Sequence, residues 1–286
     1  MNNSTSWVKA ANWYDNLLEK EENTYQKNLI LPNILRLLEI KKGETILDLA
    51  CGQGFFSREF SKAGAKVVGV DISKELIELA KNHSSTSSNL TIKQLNNDTG
   101  NSSRQARTIN YYVSPADDLR FLKDKSIDKT VIILALQNIQ NVYGVFKECS
   151  RVLKKRGRLF IVLNHPAFRI PKESSWGWDE GQKIQYRRID SYLSQSKAKI
   201  QMHPGISSKE YTLSFHRPLQ FYSKSLSKNG FCITRIEEWN SFKKSEPGPK
   251  AQAEDKARKE IPLFLFIGAI SGHPRLDRGS IDSQSS

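Results

Sequence analysis

Two carboxylates and a pair of glycines carry the strongest chemical signal in this sequence. Residues 46–54 read Ile-Leu-Asp-Leu-Ala-Cys-Gly-Gln-Gly: an apolar run, an acid at Asp48, then a small-residue turn containing Gly52 and Gly54. Glycine lets a backbone turn sharply and lets a ligand approach it closely, because no Cβ intervenes. Phe55-Phe56-Ser57-Arg58-Glu59-Phe60 follows directly, so the stretch reads strand, tight turn, helix. Seventeen residues beyond Gly54, a second apolar run, Val67-Val68-Gly69-Val70, ends in Asp71. A carboxylate at the end of the second strand of a βαβ unit is placed to hydrogen-bond ribose hydroxyls. The chemistry these residues suit is nucleotide recognition, although the glycine spacing does not fit the dinucleotide fingerprint G-x-G-x-x-G.

Asp48-x-Ala50-x-Gly52-x-Gly54, followed by Gly69-Val70-Asp71-Ile72-Ser73, resembles motif I and the acidic loop of class I S-adenosylmethionine (SAM) dependent methyltransferases. The first glycine of that motif is Ala50 here. The resemblance implies SAM as cofactor, with Asp48 orienting the turn and Ala50, Cys51, Gly52 and Gly54 bringing backbone to the amino-acid tail. It implies Asp71 on the ribose and Ile72 over one face of the adenine. Ser114-Pro115-Ala116-Asp117-Asp118-Leu119 resembles the segment that contacts the adenine edge in the family. Pro115 occupies the usual Asp position, which leaves Asp117, or backbone near Ala116, for that contact. Leu134, at the end of the fourth strand, completes the implied cofactor set. A generic Rossmann-like turn that binds no SAM is the alternative.

The acceptor is less legible. Leu134-Ala135-Leu136-Gln137-Asn138-Ile139 lacks the Asn/Asp-Pro-Pro-aromatic segment of amino-methylating base enzymes, and Asn164-His165-Pro166 follows the fifth strand instead of the fourth. No Pro-Cys or Thr-Cys pair offers the nucleophile that cytosine-C5 chemistry needs. What remains resembles the small-molecule "type 11", ubiquinone-synthesis-like group, over residues 43–163 and 217–270. Transfer to an O or N atom of a small acceptor is the leading reading. An RNA methyltransferase and a non-catalytic SAM-binding protein stand as alternatives. His165, at the carboxyl end of a sheet strand, is the catalytic candidate, since a neutral imidazole there could take a proton from a hydroxyl or amine. A loop histidine bonded to backbone is the other reading of the same residue. Tyr14, Gln137, Asn138, Trp178, Tyr186, Arg187 and His216 form the candidate substrate set, with aromatic walls and cationic ends suited to an anionic or aromatic acceptor.

Holding these residues together requires a parallel sheet. Strands are predicted over 45–49, 66–70, 109–113, 130–135 and 158–163, alternating with helices over 55–63, 74–81 (capped by Ser73) and 141–153. Alternation of this kind implies an α/β fold with helices on both faces of the sheet. With the resemblance, that becomes a doubly wound, mostly parallel seven-stranded Rossmann-like sheet with a cap insertion after the fifth strand. Residues 1–42 read as an N-terminal helical lid, with Ser6 as a cap and a kink or a break near Leu31 caused by Pro32. Residues 43–163 form the SAM-binding core. Within it, the Asn-, Ser- and Thr-rich stretch 82–107 reads as a surface insertion, with one short strand at 90–95. Residues 164–216 form the substrate cap, with strands over 183–189 and 211–216. Residues 217–270 complete the core through a helix from Pro218 to Asn229-Gly230, strands over 231–237 and 262–270, and a helix over 251–259. Residues 271–286 read as a disordered tail.

The 286 residues carry a net charge of +14 with a pI near 9.6. That balance raises the prospect of an anionic partner. Yet the Lys and Arg residues are scattered, and the densest cluster, Lys154-Lys155-Arg156-x-Arg158, reads as a turn before a strand. Nucleic acid is therefore not favoured as a partner. Three cysteines without metal-ligand spacing indicate neither a disulfide framework nor a zinc site. The first residues lack the pattern of a signal peptide, and no apolar run is long enough to span a bilayer, so a soluble cytoplasmic protein is expected.

Overall fold

The computed structural model of the chain describes residues 7–95, 109–201 and 211–272, with the side chains of 7–10, 12–14 and 86–95 left aside. Five strands follow the predicted pattern: β1 (Thr45–Leu49), β2 (Lys66–Asp71), β3 (Ile109–Val113), β4 (Ile127–Ile133) and β5 (Leu153–Asn164). They alternate with α3 (Phe55–Lys62), α4 (Lys74–Leu95) and α5 (Val142–Val152). α6 (Leu219–Lys228), β10 (Phe231–Trp239), α7 (Ala251–Glu260) and β11 (Phe264–Ser271) close the fold. The seven-stranded sheet runs β10-β11-β5-β4-β1-β2-β3. The five strands from β5 to β3 are parallel; β11 runs antiparallel to them, and β10, antiparallel to β11, shares their direction. This is the mostly parallel α/β sheet expected from the sequence.

Period-two alternation sorts the apolar side chains to the two faces. Leu47, Leu49, Leu159, Ile161, Leu163, Leu265 and Ile267 pack with Val145, Phe146 and Cys149 of α5 and Leu226 of α6. Ile46, Phe160, Val162, Phe264 and Phe266 face the other way, against Phe56 and Phe60 of α3 and Ile34 and Leu38 of α2 (Leu31–Leu38). Covered faces of this kind explain the near-continuous apolar runs of the central strands. All parallel strands end on one edge, and their order reverses between β1 and β4. The loops after β1, β2, β3, β4 and β5 therefore gather there.

Several local expectations are corrected. The segment after α1 (Trp7–Lys20) does not break at Pro32. A π-turn over Gln26–Ile30 runs directly into α2, where Pro32 occupies the first turn and needs no N–H partner. α4 continues to Leu95, so 82–95 is helix and the strand expected at 90–95 is absent. The basic cluster is no turn. It lies within β5, where Arg156 adopts φ +62 at a register irregularity with β4. Lys154 and Arg158 there pair with Asp128 and Glu39. The stretch expected to form the cap holds two hairpins, β6 (Ser174–Asp179) with β7 (Ile184–Ile189) and β8 (Ser196–Gln201) with β9 (Tyr211–His216). Only β7 and β9 are anticipated from sequence. The Ser6 cap, residues 96–107 of the insertion and the tail from 273 lie outside the described residues. Among the described residues, no helix is long and apolar enough to cross a membrane, and all three cysteines are free.

Candidate active site

The turn after β1 is built from left-handed backbone. Ala50, Gly52 and Gly54 have φ of +60, +56 and +78. Two of the three are glycine, as such angles favour, and Ala50 carries the steric cost of its Cβ. The turn is tied to β2 at both ends: Cys51 N–H donates to the Val70 carbonyl at 3.0 Å, and Gly52 N–H donates to Asp71 Oδ2 at 2.9 Å. Asp71 Oδ1 accepts from Ser73 N–H at 2.9 Å, while Ser73 Oγ caps α4 by accepting from Leu76 N–H. Each carboxylate oxygen of Asp71 thus has one backbone partner and keeps further acceptor capacity. Burial pushes its carboxyl upward, against the pull of those bonds.

Asp48 lies beneath the turn, 2% exposed. Its Oδ2 accepts from Ser57 Oγ at 2.6 Å, bridging β1 to α3. Its carboxyl is pushed up to about 7, by burial first, with Ser57 opposing and the Asp71 charge adding. Cys51 is pushed up as well, again by burial, so it is no ready nucleophile. Tyr111 of β3 is a neighbour the sequence did not single out. Its hydroxyl stands 2.5 Å from where a Cβ on Gly54 would be, and its ring 2.5 Å from one on Gly69. Both glycines therefore make room for this ring, which no local pattern announces.

The N-terminal helix α1 is fastened to the turn. Glu19 of α1 pairs with Arg58 of α3 and accepts from Gln53 Nε2 at 3.2 Å. Arg58 also donates to the Gln53 carbonyl and side-chain oxygen at 2.8 and 3.0 Å. Asp15 lies 2.7 Å from His83 Nε2 on α4. Tyr14 is on the same helix, but its side chain is outside the described set.

Farther along the edge, Ile72 is 42% exposed directly after β2. Ala116 packs on the core, and Asp117 Oδ2 accepts from Asn141 Nδ2 at 2.7 Å. Asn141 in turn caps α5 by accepting from Gly144 N–H. The loops after β3 and β4 are thereby joined. Leu134 adopts φ +53, costly for a leucine. Its carbonyl accepts from Gln137 Nε2 at 2.8 Å, while Gln137 Oε1 is buried without a partner among the described residues. Asn138 Nδ2 donates to the Leu213 carbonyl of β9 at 2.9 Å. Arg217, another residue missed from sequence, donates to the carbonyls of Leu136, Ile139 and Gln140 at 3.2, 2.8 and 2.9 Å. Asn138 and Arg217 together bind the loop after β4 to the second hairpin.

The remaining candidates do not converge on this loop. His165 is 5% exposed, and its Nδ1 accepts from Ala167 and Phe168 N–H at 3.2 and 3.3 Å. That fixes the proton on Nε2, which lies 2.7 Å from Glu238 Oε1 of β10. Burial lowers its pKa despite Glu238. Both ring nitrogens are thus engaged in this structure, the arrangement of the loop-histidine reading. His216 is likewise buried, its Nε2 donating to the Tyr192 carbonyl at 2.7 Å. Trp178 is covered by Lys250, whose Nζ sits 4.6 Å from its ring. Tyr186 is exposed and lies across Gly177. Arg187 points instead into a separate pocket with Arg169 and Trp176.

Residues 47–161 match the family model described as a methyltransferase domain. The demethylmenaquinone methyltransferase of Tropheryma whipplei (strain Twist) is 30% identical over 132 residues, 46% of each chain. A ubiquinone biosynthesis O-methyltransferase of Xanthomonas euvesicatoria is 25% identical over 56% of this chain and 65% of its own. The chain thus spans about half to two thirds of the length of these curated relatives. In three dimensions it is similar to an S-adenosylmethionine-dependent methyltransferase of Mesorhizobium loti, with a TM-score of 0.62 and 23% identity over 87% of this chain and 99% of that one. That likeness extends the shared fold beyond the matched domain. The motif turn, the strand order and these matches agree: residues 47–161 match a methyltransferase domain and are similar to the class I S-adenosylmethionine-dependent methyltransferases of the type 11 group, whose cofactor is S-adenosylmethionine.

Proposed function

We propose that the protein transfers a methyl group from SAM to an oxygen or nitrogen atom of a small-molecule acceptor. The observation that carries this reading is the left-handed turn 50–54 locked to Asp71 at the carboxyl edge of β1 and β2. The quinone-pathway relatives, named for small-molecule acceptors, support it. Bound SAM supplies an electrophilic methyl group on a positively charged sulfur.

The protein's part in this proposal is placement. Gly52 and Gly54 bring bare backbone to the amino-acid tail, with Ala50 and Cys51 completing the turn and Asp48 bracing it from below. Asp71 uses its spare acceptor capacity for the ribose hydroxyls. Ile72, Ala116, Asp117 and Leu134 line the adenine side. Gln137, whose buried oxygen is unpartnered among the described residues, and Asn138 stand at the acceptor side. His165 acts as a positioning residue that shapes the loop after β5. Direct displacement needs two partners held in line and shielded from water, so a sparse set of acid–base groups suffices. The test is incubation with methyl-labelled SAM and separated metabolite and RNA fractions. Label in small molecules is the expected result, whereas label only in RNA, or none at all, would overturn the proposal.

A further inference from the structure

A second pocket lies off the ends of β5, β11 and β10, about 380 Å³ in volume. It opens on the same sheet edge as the motif turn, because Asn164, Phe264 and Trp239 are in register there. Its cations come from four separate segments: Arg169 after β5, Arg187 on β7, Lys243 and Lys244 after β10, and Arg258 on α7. Glu246 is the one acid in its lining. Elsewhere in this chain arginines commonly sit on carboxylates, as Arg36 does on Glu237, Arg151 on Glu148 and Arg188 on Asp190. Here, among the described residues, only Lys244 has such a partner, Asp255 at 3.6 Å.

Arg187 is held instead by neutral acceptors. Its Nε donates to the Phe168 carbonyl at 2.8 Å and its terminal nitrogen to Ser174 Oγ at 2.7 Å, with the guanidinium 5.2 Å from the Trp176 ring centroid. This fixes its orientation and leaves its charge uncompensated. Among the described residues Arg169 has no hydrogen-bond or carboxylate partner for its side chain, and the two guanidiniums oppose each other's charge. Also in the lining, Lys243 Nζ stands 5.0 Å over Tyr25, whose hydroxyl is tied to Ser241 at 2.8 Å. A concave site with rigid aromatic walls and several unneutralised cations is built for an anion. Planar guanidiniums favour carboxylate or phosphate oxygens.

We propose that this pocket is the subsite for an acidic group of the acceptor: a small aromatic molecule whose carboxylate or phosphate binds Arg169 and Arg187 and whose ring lies between Trp176 and Tyr25. Assignment to the acceptor rests on the methyltransferase reading above. It fits the spacing, since β5, at the near side of the pocket, is two strand widths from β1, roughly 10 Å, and β11, at its middle, is three, roughly 14 Å.

Phenyl phosphate, benzoate and inorganic phosphate are titrated at physiological ionic strength and followed by tryptophan fluorescence, with Trp176→Phe identifying the reporting ring. Saturable binding is expected, tighter for phenyl phosphate than for inorganic phosphate. Arg169→Gln should weaken it about ten- to a hundredfold through the lost charge-assisted bonds. Arg188→Gln removes an equal charge from the same hairpin and should change nothing. No saturation, or equal loss in both variants, would overturn the subsite, as would an oligoribonucleotide that displaces phenyl phosphate at lower concentration. SAM affinity measured by calorimetry on the same samples separates the two readings. Failed anion binding with intact SAM binding removes only the subsite, and failed SAM binding in the parent protein removes the methyltransferase reading.

Discussion

Asp48 gives the most discriminating test of how the cofactor turn is built. It is buried under the turn, held by one hydroxyl at 2.6 Å, with its carboxyl pushed from an ordinary 3.8 up to about 7. A carboxyl whose pKa is raised in the folded state binds its proton more tightly there than in the unfolded chain. The resulting stabilisation is fully present below the unfolded value and is lost as pH rises through the folded one. Stability should therefore fall between about pH 4 and about pH 7, with a limiting slope of about 1.4 kcal/mol per pH unit, and level off above that window. Asp48→Asn keeps an oxygen to accept from Ser57 and removes the titration. Relative to the parent, the variant should gain about 3 kcal/mol between about pH 5 and about pH 8. Urea unfolding of the SAM-free protein at several pH values measures this directly. Ser57→Ala supplies a second arm: without the hydroxyl that favours the ionised form, the window should extend to higher pH. Parallel profiles for the parent and Asp48→Asn would refute the reasoning, because they would mean that this carboxyl titrates alike in both states.

Three further outcomes follow from the same site. Asp71→Ala removes the acceptor for Gly52 and Ser73 N–H and the proposed ribose contact, so SAM affinity should drop by at least about tenfold; an unchanged calorimetric affinity would exclude the assignment. Ala50→Gly relieves a Cβ at φ +60 and should raise stability by about 0.5–1 kcal/mol, so a lowered melting temperature would show that the alanine methyl packs usefully. Glu19→Gln weakens the fastening of α1 to Arg58 and should speed SAM release by about fivefold or less, read by stopped flow, with equilibrium unfolding nearly unchanged. An unaltered release rate would mean that α1 does not hold the cofactor in.

The sequence by itself determined the parts whose causes are local. The run from Ile46 to Asp71 encodes strand, turn, helix and strand in contiguous residues. Near-continuous apolar runs mark β1 and β2, glycines mark the positive-φ turn, and Ser73 marks the start of α4. The same holds for β3, β5 and the elements after Pro218. Local reading failed where long-range packing sets the outcome. The polar 82–95 segment has no clear helical stripe, yet it continues α4. Strands β6 and β8, part-exposed and paired only in two-stranded hairpins, lack the apolar signature that reveals a buried strand. Tyr111 matters because β3 lies beside β2 and places its ring against Gly54 and Gly69. Arg217 matters because a segment about 80 residues away returns its carbonyls to it. His165 looks free in sequence, and only the neighbouring β10 and its own loop occupy both ring nitrogens. Arg169, Arg187, Lys243 and Arg258 look scattered along the chain, and only the ends of three strands, the first hairpin and α7 bring them around one pocket. Charge and hydrogen-bond partnership depend on distance through space, which a linear spacing does not specify, whereas strand period and turn chirality depend on adjacent residues, which it does.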